Sequence, residues 1–157
     1  MDILYHGSSY KQTELKPGIA YTGKKVEWDE TESNEYLYAT SDRQEAISQA
    51  FASMLEKHFG LTHYQTKGKT IQAKLERDKL PPIKELVKHK LYLYTIVNKD
   101  EDGWKKNSNK TNGLDTEYKT QDPIKKNILK VKEIDLEKWL DERTLKLSLE
   151  GLASFRW

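Results

Sequence analysis

One stretch of this chain constrains its fold more than any other. Residues 41–59 read SDRQEAISQAFASMLEKHF, and Ala46, Ile47, Ala50, Phe51, Met54 and Leu55 recur there at helical spacing. That spacing lays all six on one helix face. Ser41 and Gln44 have capping-box spacing, which sets the expected start at Ser41, and Gly60 supplies a stop. Around this helix the chain offers mainly short β-like runs. DILYH ends in Gly7, YLYAT covers 36–40, and LYLYTIV (91–97) is the strongest strand signal. KTIQAKLE alternates weakly, and TEYKT and ILKVKEI flank Pro123 as two further strands. LPPIKELVKH suits a loop and one helical turn, and DLEKWLDERTL suits a short helix capped by Asp135. Strands dominate, helices are few and their order is irregular. The expectation is an α+β fold on antiparallel sheets, in a single domain over 1–157.

Two polar stretches interrupt these runs. LKPGIAYTGKKVEWDETESNE reads as a long surface loop, a length often used for a functional lid. NKDEDGWKKNSNKTNGL reads as loop from its Gly, Asn and charge content. Lysine and arginine total 27 against 25 acids, a net charge of +2. Such a balance by itself points to neither a nucleic acid nor an acidic partner. The chain has no cysteine, which excludes disulfides, thiolate metal sites and cysteine nucleophiles. MDILYHGSSYK has no basic region followed by an apolar run, so no signal peptide is read. No run approaches the roughly 20 apolar residues of a membrane span. A soluble, cytoplasmic protein with no membrane partner is expected.

Familiar cofactor and nucleophile signatures are missing. His58 and His63 are five apart with no carboxylate between them, unlike the i, i+4 pair of a helical zinc site. No metal site is expected. GxGxxG, GxxxxGK[ST] and GxSxG do not occur. The pairs Lys105–Lys106 and Lys125–Lys126 read as solvated loop. What remains is three short strands with a chemically useful residue where strand meets turn: LYHGSS with His6 and Gly7, YLYAT with Tyr38, and TEYKTQD with Glu117. Singly, each has an ordinary account: a strand-end histidine, a core ring, an exposed strand charge.

Together and in that order, they resemble the H-Y-E ADP-ribosyltransferase superfamily. LYHGSS is similar to its first strand, which ends in His-Gly and a following Ser or Thr. EYLYATSDRQEA is similar to its "iYfa" strand and the helix after it. TEYKTQDPIKKNILKVK resembles the late glutamate strand of poly(ADP-ribose) polymerases, and EYKTQDPI also resembles a segment of rifampin ADP-ribosyltransferases. The resemblance spans His6 to about Lys132. The second aromatic that the polymerases place in the helix has no clear counterpart; Gln49 lies near that position. In the rifampin enzymes the catalytic acid lies in an earlier loop, which would fall on Asp100 or Asp102.

The resemblance implies split antiparallel β-sheets with few helices, and an enzyme that moves ADP-ribose from NAD to an acceptor while releasing nicotinamide. NAD enters as substrate, without a metal. Glu117, His6 and Tyr38 would be catalytic; His6, Gly7, Ser8 and Tyr38 would hold NAD. Asp115, two residues before Glu117, would orient the acceptor, or else serve as a turn aspartate after Gly113. The acceptor is open: protein, nucleic acid or small molecule. The small size fits a bacterial or phage effector, toxin or resistance enzyme. Alternatives are an RNA 2′-phosphotransferase or NAD glycohydrolase on the same fold, or a non-catalytic module that binds nucleotides or protein.

Overall fold

A computed structural model describes residues 2–17, 36–59, 61–67, 70–75, 83–106, 117–141, 144–147 and 152–156. The order is β1 (Ile3–Ser8), β2 (Leu37–Thr40), α1 (Arg43–Phe59), β3 (Leu61–Lys67), β4 (Thr70–Leu75), α2 (Ile83–Leu86) and β5 (Leu91–Val97). It continues with β6 (Lys105–Lys106), β7 (Glu117–Thr120), β8 (Ile128–Ile134), α3 (Leu136–Asp141), β9 (Thr144–Leu147) and β10 (Leu152–Arg156). Among the described residues these strands form two sheets. One runs β6-β7-β2-β1-β5-β8 and the other β3-β4-β10-β9. Every pairing is antiparallel. The fold is therefore α+β with few helices. No helix among the described residues is long and apolar enough to cross a membrane.

α1 organises the interior. The six apolar residues of its predicted face are all buried. They form one cluster with Leu91, Leu93, Ile134, Leu136 and Trp139. Phe51 and Trp139 meet at 5.3 Å between ring centroids. α1 touches β1, β2 and β5 of one sheet and β3 and β4 of the other. A second cluster, of Leu4, Leu15, Leu37, Ala39, Tyr94, Ile96 and Ile124, lies on the face of the six-stranded sheet away from α1.

Several sequence expectations need correction. α1 begins at Arg43 with Asp42 as its cap, not at Ser41: Asp42 Oδ1 accepts from the amides of Gln44 (2.9 Å) and Glu45 (3.3 Å). Asp42 reaches N2 and N3 directly, which Ser41, one residue earlier, does not need to do. Leu15, read as the start of a surface loop, is fully buried and pairs with Ile124 through two backbone hydrogen bonds. Lys105–Lys106 is a short edge strand, not loop. Thr144 and Leu145, read as a helix end, open β9. β3, β9 and β10 had no reading from the sequence as strands. The predicted lid falls largely on residues 18–35, outside the described residues, as do Gly60 and Asp115.

Candidate active site

β1, β2 and β7 are neighbours in the six-stranded sheet, so His6, Tyr38 and Glu117 lie on three adjacent strands although far apart in sequence. Register decides which way each points. Thr40 lies opposite both Tyr5 and Glu117, and Tyr38 lies opposite Lys119. Opposed residues of an antiparallel pair share a face, and residues two apart on a strand do too. Tyr5, Tyr38, Thr40, Glu117 and Lys119 therefore share one face. Gly7 points to that face as well, because a Cβ on it would lie 1.9 Å from the Ala46 carbonyl oxygen of α1. His6 alternates with Gly7 and projects from the other face, beside Tyr94 at 6.0 Å between ring centroids. So Tyr38 and Glu117 come together on one face, and His6 comes from the opposite one.

A seam between β1 and β2 connects them. The two strands pair at Tyr5–Thr40, and their ladder has no further pair among the described residues, whereas β1 pairs with β5 at six positions. Beyond Tyr5 the His6 imidazole bridges the seam: its Nδ1 donates to the Tyr38 carbonyl oxygen at 2.7 Å. That oxygen therefore points toward β1. Backbone groups alternate sides along a strand, so Thr40 turns its N–H and C=O to the same side and Tyr5 answers it. Gly7, two residues past Tyr5, directs its own N–H and C=O into the seam by the same alternation.

The bond also fixes the state of His6. A carbonyl only accepts, so Nδ1 carries the proton. Burial pushes the imidazole below the ordinary histidine range, against the opposing pull of the Tyr38 carbonyl. The neutral ring then has a lone pair at Nε2, and that atom is buried with no hydrogen-bond partner among the described residues. It is an acceptor suited to a hydroxyl group. Ser8 is fully buried; its hydroxyl accepts from the Tyr10 amide (3.2 Å) and Gln12 Nε2 (3.4 Å), which ties down the chain after β1.

Glu117 is 5% exposed, so the reading of an exposed strand charge does not hold. A second carboxylate stands close by and had no functional reading from the sequence. Glu45, in the first turn of α1, is buried and accepts from Thr40 Oγ1 at 3.0 Å. Thr40 Oγ1 in turn accepts from the Asp42 amide at 3.0 Å. A threonine hydroxyl has one proton, and Glu45 takes it. The Asp42–Glu45 spacing of three was the available signal.

Asp100 and Asp102 sit in a single 3-10 turn at the other end of β7. Asp102 Oδ2 accepts from Asn127 Nδ2 at 2.7 Å, and its carbonyl accepts from Thr120 Oγ1 at 2.6 Å. Thr120 is three residues past Glu117, about 10 Å along a strand, and on the opposite face. These aspartates brace a turn. His58, exposed at the end of α1, stacks on His89 at 4.1 Å. Among the described residues no group of three His, Cys, Asp or Glu could hold a metal.

Comparisons with protein-family models, curated proteins and solved structures give no match.

Proposed function

We propose that this chain is an NAD-dependent ADP-ribosyltransferase that binds the nicotinamide end of NAD at the seam between β1 and β2. The observation that carries the reading is the seam itself: one ladder pair at Tyr5–Thr40, then the His6–Tyr38 bridge. A main-chain N–H and C=O directed from Gly7 into that seam match the donor and acceptor of a carboxamide. His6 Nε2 offers a lone pair to a ribose hydroxyl. The Tyr38 ring gives a flat, electron-rich face for a pyridinium.

The reaction breaks the bond between ribose C1′ and a cationic nitrogen. Nicotinamide leaves neutral, so no general acid is needed. Positive charge develops on the sugar, as in glycoside cleavage. A fixed carboxylate beside it lowers the barrier, because preorganised electrostatics is usually the largest contribution. Glu117 is nearly buried, where such a charge acts with little screening. The test is nicotinamide release from NAD. Glu117→Gln keeps shape and removes charge, and should slow release roughly 10²–10³-fold with little change in NAD affinity. Asp102→Asn should release nicotinamide at the wild-type rate. The reverse pattern would move the catalytic acid to the 3-10 turn, and a wild type that binds NAD without cleaving it would leave a binding module.

A further inference from the structure

We infer that Gln49 of α1 is a substrate-binding residue whose side-chain amide holds the hydroxyls of the ribose attached to nicotinamide; this rests on the transferase reading above. α1 lies between the two sheets, touching β1, β2 and β5 of one and β3 and β4 of the other. From Glu45 to Leu55 every residue of the helix is buried except Gln49, which is half-buried. Register shows where this opening falls. Glu45 accepts from Thr40 Oγ1, so the flank of α1 that carries Glu45 faces β2. Residues four apart share a helix flank, one turn or about 5.4 Å on, and Gln49 is four residues past Glu45. Ala46 and Ala50 lie over Gly7, and Gly7 stands across the seam from Tyr38, each two residues beyond the Tyr5–Thr40 pair. The helix therefore advances from the level of Thr40 to that of Tyr38 between Glu45 and Ala50. Two strand residues cover about 7 Å, close to one helical turn, so Gln49 stands beside Tyr38 as Glu45 stands beside Thr40.

The helix also limits where a ligand can lie. With the Ala46 carbonyl oxygen packed onto Gly7, no ring fits between β1 and α1 at that level. A pyridinium on the Tyr38 ring lies over β2 instead, alongside the flank of Glu45 and Gln49. With its ring nitrogen turned toward the level of Thr40 and Glu117, the attached ribose comes between Tyr38 and Glu117, within a glutamine side chain's reach of Gln49. Among the described residues the Gln49 side-chain amide has no hydrogen-bond partner, while its main-chain carbonyl accepts from Ser53 Oγ at 2.9 Å. The side chain thus offers both a donor and an acceptor. A vicinal diol calls for those two functions, since each hydroxyl donates one proton and also accepts. His6 Nε2, on the other face of the sheet, only accepts, so the two residues do not duplicate each other.

The test is a binding cycle read by titration calorimetry. One ligand is carba-NAD, whose carbocyclic sugar keeps the hydroxyls beside nicotinamide and resists cleavage. The other is the carba-NAD analogue that lacks those two hydroxyls. Wild type should prefer carba-NAD. Gln49→Leu should cut that preference about tenfold, the worth of one or two hydrogen bonds, while binding the analogue as wild type does. The urea midpoint should stay at the wild-type value, since this amide has no hydrogen bond to lose. Gln49→Ala repeats the test should leucine close the opening. In the nicotinamide-release assay both variants should show a raised KM for NAD. Wild-type preference for carba-NAD in both variants, with NAD still cleaved, would overturn the inference and leave the transferase reading intact. The tenfold loss in the variants, with no cleavage of NAD by wild type, would do the reverse. A fall in kcat at unchanged KM and unchanged carba-NAD affinity would assign Gln49 to the acceptor and overturn the inference too. No binding of carba-NAD by wild type would overturn both.

Discussion

Gly7 has no room for a side chain. A Cβ there would approach the Ala46 carbonyl oxygen to 1.9 Å and the Ala50 Cβ to 2.9 Å. The first obstacle is helix backbone, which cannot swing aside. Gly7→Ala should therefore cost about 3 kcal/mol, the upper part of the range for overpacking, read as a lower urea midpoint at unchanged slope. The residue is thus needed for helix packing whatever else its backbone binds. The neighbouring His6 makes a pH prediction. Its folded pKa lies below the ordinary value of 6.5 because burial disfavours the cation. The unfolded chain then binds the proton first as pH falls, so stability is complete above about 6.5 and declines below it. His58 is shifted in the same direction, chiefly by partial desolvation beside its neighbours and then by the charges of His89 and Lys57, so the contribution of His6 must be isolated by difference. The fall in urea midpoint between pH 7.5 and 5 should be smaller in His6→Asn than in wild type. Equal falls would place the titration elsewhere.

At the scale of the element, α1 is held at its start by a relay. Asp42 caps two amides, the Asp42 amide donates to Thr40 Oγ1, and Thr40 Oγ1 donates to Glu45. In an ordinary capping box the acid at the third helical position reaches the cap amide itself; here the threonine stands between them. Asp42→Ala should cost about 1 kcal/mol, as N-cap losses do. Thr40→Val should cost about 1–3 kcal/mol, since it leaves the buried Glu45 without that donor, and Thr40→Ser should restore most of it. Thermal melts of the three variants check the order. The relay also shows what sequence could reveal. The apolar face of α1 and the bounds of β5 and β8 follow from periodicity and branched or aromatic content, and the structure reproduces them. The choice between Ser41 and Asp42 does not follow, because both are good caps at nearly the same place. β6 escaped because two lysines carry no strand signal. At the site, residue types were readable, but the His6 contact was not: its partner is a main-chain carbonyl, which every residue has. The packing of Gly7 on Ala46 was hidden likewise, since two small residues 39 apart announce nothing until the strand meets the helix.

At the scale of the whole molecule, the two faces of the six-stranded sheet are closed differently. α1 packs on the face of Tyr38 and Glu117 over β1, β5 and β2, whereas the face of His6 is covered by the chain that follows β1. That chain is tied at three points. Ser8 Oγ accepts from the Tyr10 amide, the Tyr94 hydroxyl accepts from the Gln12 amide and donates to the Gln12 carbonyl, and Leu15 pairs with Ile124. The last tie joins the chain leaving the strand of His6 to the chain leaving the strand of Glu117, across a sheet whose β1–β2 ladder is short. It therefore holds the two sides of the seam together independently of β2. Leu15→Ala removes a fully buried side chain at that tie and should cost about 2–5 kcal/mol. Tyr94→Phe keeps the buried ring and removes only the hydroxyl, leaving the Gln12 amide without that acceptor, at about 1–3 kcal/mol. Hydrogen exchange separates local from global effects. In Tyr94→Phe the Gln12 amide should exchange faster while the Leu15 and Ile124 amides stay protected. In Leu15→Ala the Leu15 and Ile124 amides should lose protection while the amides of β5 keep theirs. Equal acceleration at all these amides in both variants would mean that the covering chain opens only when the whole protein unfolds, and would remove it as a separate closure of the His6 face.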